Sequence, residues 1–172
     1  MKIDYNNGAG SGDILWRMGK DGDFTFNNIY NDSWPWFSHQ HQPGIEDDGT
    51  GVMSIFDDGN TRVSGLGSPA CEPSDCHSRG MALTFDESTM QVTPVLSADL
   101  GTFSTAMGSA QLLPDGNYFF MSGWVVIHDN LSSYALEIAP TAGADSGTTV
   151  MNVEEGDGEY RAWQVTNLYN PP

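Results

Sequence analysis

The chain has 172 residues, room for one domain with a core of its own and too few for two ordinary ones. Its 23 acidic and 6 basic residues leave a net charge of −17, a field that repels phosphate backbones and argues against nucleic acid as a partner. No apolar run approaches membrane-spanning length, and residues 1–20 do not read as a secretory signal peptide.

The 20 Gly and 9 Pro fall in clusters such as "NNGAGSGD" and "DDGTG", and short β-branched and aromatic runs lie between them. Runs with helical spacing are almost absent, so the expected class is all-β. In chain order, residues 3–15 form a strand, a glycine-rich turn and a second strand. Residues 45–60 read as a hairpin about an Asp-Gly turn, and residues 82–96 as a strand, a polar turn and a strand. Residues 112–124 carry another Asp-Gly turn between apolar strands. Residues 138–150 align without gaps on residues 3–15, with Gly8, Ala9, Ser11 and Gly12 falling on Gly143, Ala144, Ser146 and Gly147. The segment 160–169 alternates apolar and polar residues as a closing strand.

Outer and inner hairpins thus alternate along the chain, the pattern of a β-propeller built from four-stranded antiparallel blades. The expected division is an outer hairpin of a preceding blade at 1–19, one full blade at 36–98, a second at 107–155 and a closing strand at 159–170. That makes about two and a half blades, where propellers close at about 4–8. The expectation is therefore a C-terminal portion of a longer ring, with open edges that pair with upstream blades or with a second copy.

The histidines at "WFSHQH" (residues 36–41) concentrate the chemistry. Counted back from the turns at Asp48-Gly49 and Asp115-Gly116, His41 falls on Gly108, so the second unit repeats the scaffold without an imidazole. That favours a functional His41 near the propeller axis. Neutral imidazole is a nucleophile that can accept an acyl, phosphoryl or sulfuryl group and pass it on. His39 would share its face if the strand alternates regularly, and could orient the same ligand; the alternative is an ordinary loop histidine. Arg62, with Asn60 two residues earlier, offers a planar fork to an oxyanion, or else pairs with Asp57 or Asp58 on the surface. Arg79 and Arg161 are further cations that would matter if they faced the channel.

Cys71 and Cys76 are spaced for a disulfide closing a surface loop, which would imply an oxidising compartment. Two cysteines cannot make a structural zinc site, even with His77 adjoining; a metal held by His39, His41 and a carboxylate is a minor alternative. The Asp-rich turns lack the alternating ligands of a calcium loop and read as Asx turns. His128 reads as plain loop. No phosphate-binding glycine loop and no nucleophile elbow is present, and no cofactor is expected.

The stretches "DILWRMGKDGDFTF", "WPWFSHQHQ", "FDDGNTR", "SRGMALTFDESTMQVTPVLSADLGTFSTAMGSAQLLPDGNYFF" and "EYRAWQVTNLY" together resemble the C-terminal part of the bacterial aryl-sulfate sulfotransferase family. The resemblance runs from Lys2 to Tyr169. It implies a six-bladed propeller, extracellular or periplasmic, that moves a sulfuryl group from an aryl sulfate donor to a phenolic acceptor without a nucleotide sulfate. It assigns the nucleophile that becomes sulfohistidine to the second histidine of "HQH", His41. The family's other channel residues, further histidines and an arginine, lie in blades upstream of these. The competing reading is a non-catalytic propeller that binds a ligand or serves as a scaffold.

Overall fold

Eleven strands and a single 3-10 turn (Asn6–Gly8) make up the regular structure of this computed structural model, which describes residues 1–45, 51–60 and 77–165. In chain order the strands are β1 (Lys2–Ile3), β2 (Ile14–Trp16), β3 (Thr25–Phe26), β4 (Gln40–Ile45), β5 (Val52–Asp57) and β6 (Arg79–Asp86). They continue as β7 (Gln91–Asp99), β8 (Gly108–Leu112), β9 (Tyr118–Ile127), β10 (Asn130–Pro140) and β11 (Gly147–Glu155). The all-β expectation holds, since no α-helix occurs among the described residues.

Two antiparallel meanders dominate. Strands β4, β5, β6 and β7 follow one another in one sheet, β8 to β11 in another, and β1 pairs with β2 apart from both. Among the described residues, none of the three sheets closes on itself. The hairpins read from residues 3–15, 82–96 and 138–150 are β1–β2, β6–β7 and β10–β11. One strand was not expected: β3 adds to the first sheet beside β7, in parallel, through Thr25 N–H to Met90 O and Asn27 N–H to Val92 O.

The turns follow from their residues. Asp32, Asp86, Asp99 and Asp115 each accept a hydrogen bond from the backbone N–H two residues on, so these acids are Asx turns as read from the sequence. His128 and Asp129 take φ of +49° and +65° between β9 and β10, the left-handed pair of a tight hairpin. His128 is therefore a turn residue.

Alternation along β5 sorts the core into two layers. Val52 and Phe56 face the second sheet, in a cluster with Ala82, Leu96, Ala110, Phe120 and Ile138. Met53 and Ile55 face the other way and pack with Met81, Leu83 and Val92 under Trp16, Phe24, Trp36 and Phe37. The N-terminal segment thus covers the face of the first sheet that the second sheet leaves open. Trp16, Phe24 and Phe85 meet there edge to face.

The two sheets interlock through glycines and rings. A Cβ on Gly80 of β6 would fall on the Phe120 ring, and a Cβ on Gly108 of β8 would fall on the Phe56 ring. Both rings are fully buried, and Phe56 sits directly across from Gly80 in the ladder. Gly108 therefore has a packing reason of its own to be glycine. Its lack of an imidazole says less about His41 than the alignment alone suggested.

Residues 160–165 take no regular strand and run beside β8, tied to it through side chains. Gly80→Ala should lower stability by about 1–3 kcal/mol, the usual cost of overpacking a full core. A urea titration of the variant should show an earlier midpoint with an unchanged slope.

Candidate functional site

The site is built on a buried arginine. Arg79 opens β6 with its side chain 5% exposed. Its Nε donates to Asp57 Oδ2 at 3.1 Å, and its Nη1 to Asp32 Oδ2 at 2.5 Å and Ser97 Oγ at 3.2 Å. Its Nη2 donates to the carbonyls of Trp34 and Trp36, at 3.1 and 3.2 Å. Asp57 in turn accepts the Ser38 N–H at 2.8 Å. The residues just ahead of "HQH" are thereby fixed to the ends of β5 and β6. Trp36 adds edge-to-face contacts with Phe26 and Phe37. Arg79, read as a possible channel cation, is fully engaged within the fold and is not free for a ligand.

From this anchor the chain enters β4. His39 lies just before the strand, exposed, with φ of +53°, so it does not share a regular strand face with His41. His41 sits opposite Phe56. The ladder then skips between His41 and Gly44, with Gln42 at φ +43° and Pro43 unable to donate. This bulge bends the strand immediately after the imidazole.

His41 is partly buried, its side chain 29% exposed, and its Nε2 has two neighbours. The backbone N–H of Met107 donates to it at 3.1 Å, and Asp58 Oδ2 lies 3.2 Å away. Asp58 is itself buried at the end of β5. Burial, and then the charge of Asp57 beside it, pushes the Asp58 carboxyl up to about 8. Burial lowers the pKa of His41, helped by the positive charge of Arg161 and by His39. Both shifts favour neutral partners at pH 7. A neutral imidazole with a bare Nε2 accepts the Met107 N–H, and a protonated Asp58 can offer its O–H to the same lone pair.

Asn60 ties the end of β5 to the connection ahead of β8, its Nδ2 donating to Thr105 O at 2.9 Å. Among the described residues, the Oδ1 atoms of Asn60 and Asp58 are buried without a hydrogen-bond partner. Arg62, Cys71 and Cys76 lie outside the described residues. Among the described residues no three His, Cys, Asp or Glu side chains gather as a metal's ligand set. Two members of the site went unread in the sequence. Asp58 was visible only as the second acid of a turn doublet, and the Met107 N–H, a backbone group, leaves no signature.

A model of the arylsulfotransferase (ASST) family matches residues 1–162. The chain belongs to the arylsulfotransferase family. A comparison with individually curated proteins gave no match. The match to the arylsulfotransferases takes in every strand from β1 to β11 and all of the described site, His39, His41, Asp58, Asn60 and Arg161 included. Membership implies aryl sulfates and phenols as substrates at the level of the family. No helix among the described residues of this arylsulfotransferase is long and apolar enough to cross a membrane.

Two outcomes follow from this geometry. Arg79→Met leaves Asp57 buried with its main countercharge gone, and should cost about 3–5 kcal/mol in chemical denaturation. Asp58 in the folded chain holds its proton up to about pH 8, against an ordinary value of 3.8. Its contribution to stability is therefore full below pH 4 and is lost as pH rises toward 8. Asp58→Asn removes that loss, so its melting temperature relative to the parent chain should climb between pH 5 and 9.

Proposed function

We propose that this arylsulfotransferase carries a sulfuryl group from an aryl sulfate to a phenol on His41. The observation that carries this reading is the state of the imidazole. His41 is part-exposed, burial lowers its pKa, and its Nε2 accepts the Met107 N–H and lies 3.2 Å from Asp58 Oδ2. Such a nitrogen offers its lone pair to a sulfur atom once the Met107 hydrogen bond is exchanged for a covalent bond.

The steps balance as follows. Nε2 attacks the sulfur of the aryl sulfate, the N–S bond forms as the ester S–O bond breaks, and the phenolate leaves with the bonding pair. The ring keeps its proton on Nδ1, so the sulfohistidine carries a positive ring and a negative sulfo group. An acceptor phenolate oxygen then attacks the sulfur, the N–S bond breaks, and the pair returns to Nε2. The fixed Met107 N–H is in place to take up that lone pair again.

The same reading makes the two meanders neighbouring blades of a propeller, β4 to β7 and β8 to β11, with their first strands innermost. Their face-to-face packing through Phe56 and Phe120, and the contacts of β4 and β5 with β8, support it. Further blades, or a second copy, would complete the ring. The family likeness also suggests a periplasmic or extracellular setting.

Incubation of the full chain with 4-nitrophenyl sulfate, followed by intact mass, tests the proposal. One added SO3 group, acid-labile and absent in His41→Ala, is the expected result. An adduct that survives in His41→Ala would move the nucleophile elsewhere and overturn the assignment.

A further inference from the structure

The transfer on His41 leaves a proton unassigned. A phenol of ordinary acidity, with a pKa of about 10, departs reluctantly as an anion at neutral pH and attacks only after losing its proton. One group that gives a proton to the departing oxygen and takes one from the incoming phenol would serve both halves of the reaction. The site contains a carboxyl that no step of the transfer uses, that of Asp58.

Asp58 lies one residue past β5, its side chain 2% exposed, with Oδ2 3.2 Å from His41 Nε2. Its carbonyl accepts the Ser78 hydroxyl at 3.1 Å, and the Ser78 oxygen accepts the Ser104 N–H at 2.9 Å. The chain runs on from Ser104 to Met107, whose N–H reaches the same Nε2. Asp58 and Met107 are thereby held in one framework about the atom that forms the bond to sulfur.

The surroundings of Asp58 differ from those of the acid beside it. Asp57 binds Arg79, which is also engaged with Asp32. Asp58 faces the imidazole on β4 and feels the charge of Asp57, and among the described residues its Oδ1 is buried without a hydrogen-bond partner. The charges that act on the imidazole itself are those of Arg161 and His39. Burial, and then Asp57, raise the Asp58 pKa to about 8, between an ordinary carboxyl and a phenol. A group in that range can donate to a phenolate and accept from a phenol near neutral pH.

We propose that Asp58 is the acid and base of the sulfuryl transfer, handing its proton to the departing phenolic oxygen and taking one back from the acceptor. This deepens the reading of His41 as the sulfuryl acceptor and rests on it. In the first half the N–S bond forms, the ester S–O bond breaks, and the Asp58 proton moves to the phenolic oxygen. The donor leaves as a neutral phenol and Asp58 remains as a carboxylate. That carboxylate then faces the positive ring of sulfohistidine, so the two charges offset each other in the intermediate. In the second half it takes the acceptor's proton as the acceptor oxygen attacks sulfur, and the N–S pair returns to Nε2. The phenolic oxygen lies beyond the sulfur in an in-line displacement. A carboxyl this close to Nε2 reaches it directly or through one water.

Two donors compared on one protein test the proposal. Phenyl sulfate releases a phenolate that needs a proton, and 4-nitrophenyl sulfate releases one that does not. The rate of SO3 addition to the full chain, followed by quenched intact mass, isolates the first half. In Asp58→Asn, addition from phenyl sulfate should slow about a hundred- to ten-thousandfold, the usual span of general acid catalysis. Addition from 4-nitrophenyl sulfate should lose less, by roughly tenfold or more. Both donors meet the same sample, so any misfolded fraction cancels from the comparison. In the parent chain, addition from phenyl sulfate should also fall as pH rises through about 8, while addition from 4-nitrophenyl sulfate should not. Equal losses with the two donors, the same pH dependence for both, or a parent chain that reacts with 4-nitrophenyl sulfate alone would overturn the role of Asp58 and leave His41 as the nucleophile. A parent chain that forms no adduct with either donor would overturn the reading of His41, and this proposal with it.

Discussion

The buried pairing of Arg79 with Asp57 is the contact on which the site depends. A guanidinium and a carboxylate out of water are costly unless every donor and acceptor is matched, and here they are matched with care. Arg79 reaches two acids, one hydroxyl and two carbonyls, while Asp57 also takes the Ser38 N–H. The carbonyls belong to the Trp-Pro-Trp segment, which has no ladder of its own to satisfy it. One arginine therefore converts an irregular loop into a fixed platform and sets where His39 and His41 emerge.

Asp57 has a second effect, through its neighbour. Its charge, added to burial, holds the Asp58 carboxyl in its neutral form near pH 7. The doublet thus divides its labour: Asp57 binds Arg79 and the Ser38 N–H, while Asp58, its pKa raised, faces the imidazole. Across the sheet interface, the packing of Phe56 against Gly108 brings β8 close to β5 and so carries Met107 to within hydrogen-bonding reach of His41. Core packing and site geometry are the same set of contacts viewed from two sides.

Much of this was legible in the residues. Turn chemistry and strand alternation gave the all-β class and the hairpins at 3–15, 82–96 and 138–150, because Asp, Gly and β-branched residues act locally. "HQH" and Arg161 were noted as candidates by residue type alone. Long-range partnerships were not legible. Arg79 looked like any scarce cation until its carboxylates, from distant parts of the chain, were seen around it. Met107 contributes a backbone N–H that every residue but proline has. β3 was missed because two residues pairing in parallel with a distant strand carry no periodicity to read.

The central claim is that His41 is a neutral imidazole at working pH, with Nε2 unprotonated and its lone pair held by Met107 and a protonated Asp58. Nitrogen chemical shifts of that ring, followed by NMR across a pH titration with His41→Gln as the assignment control, test it most directly. The account predicts an Nδ1–H tautomer at pH 7 and a His41 pKa below the ordinary 6.5. A ring that is still cationic at pH 7, or one with Nε2 protonated and donating to an ionised Asp58, would contradict it.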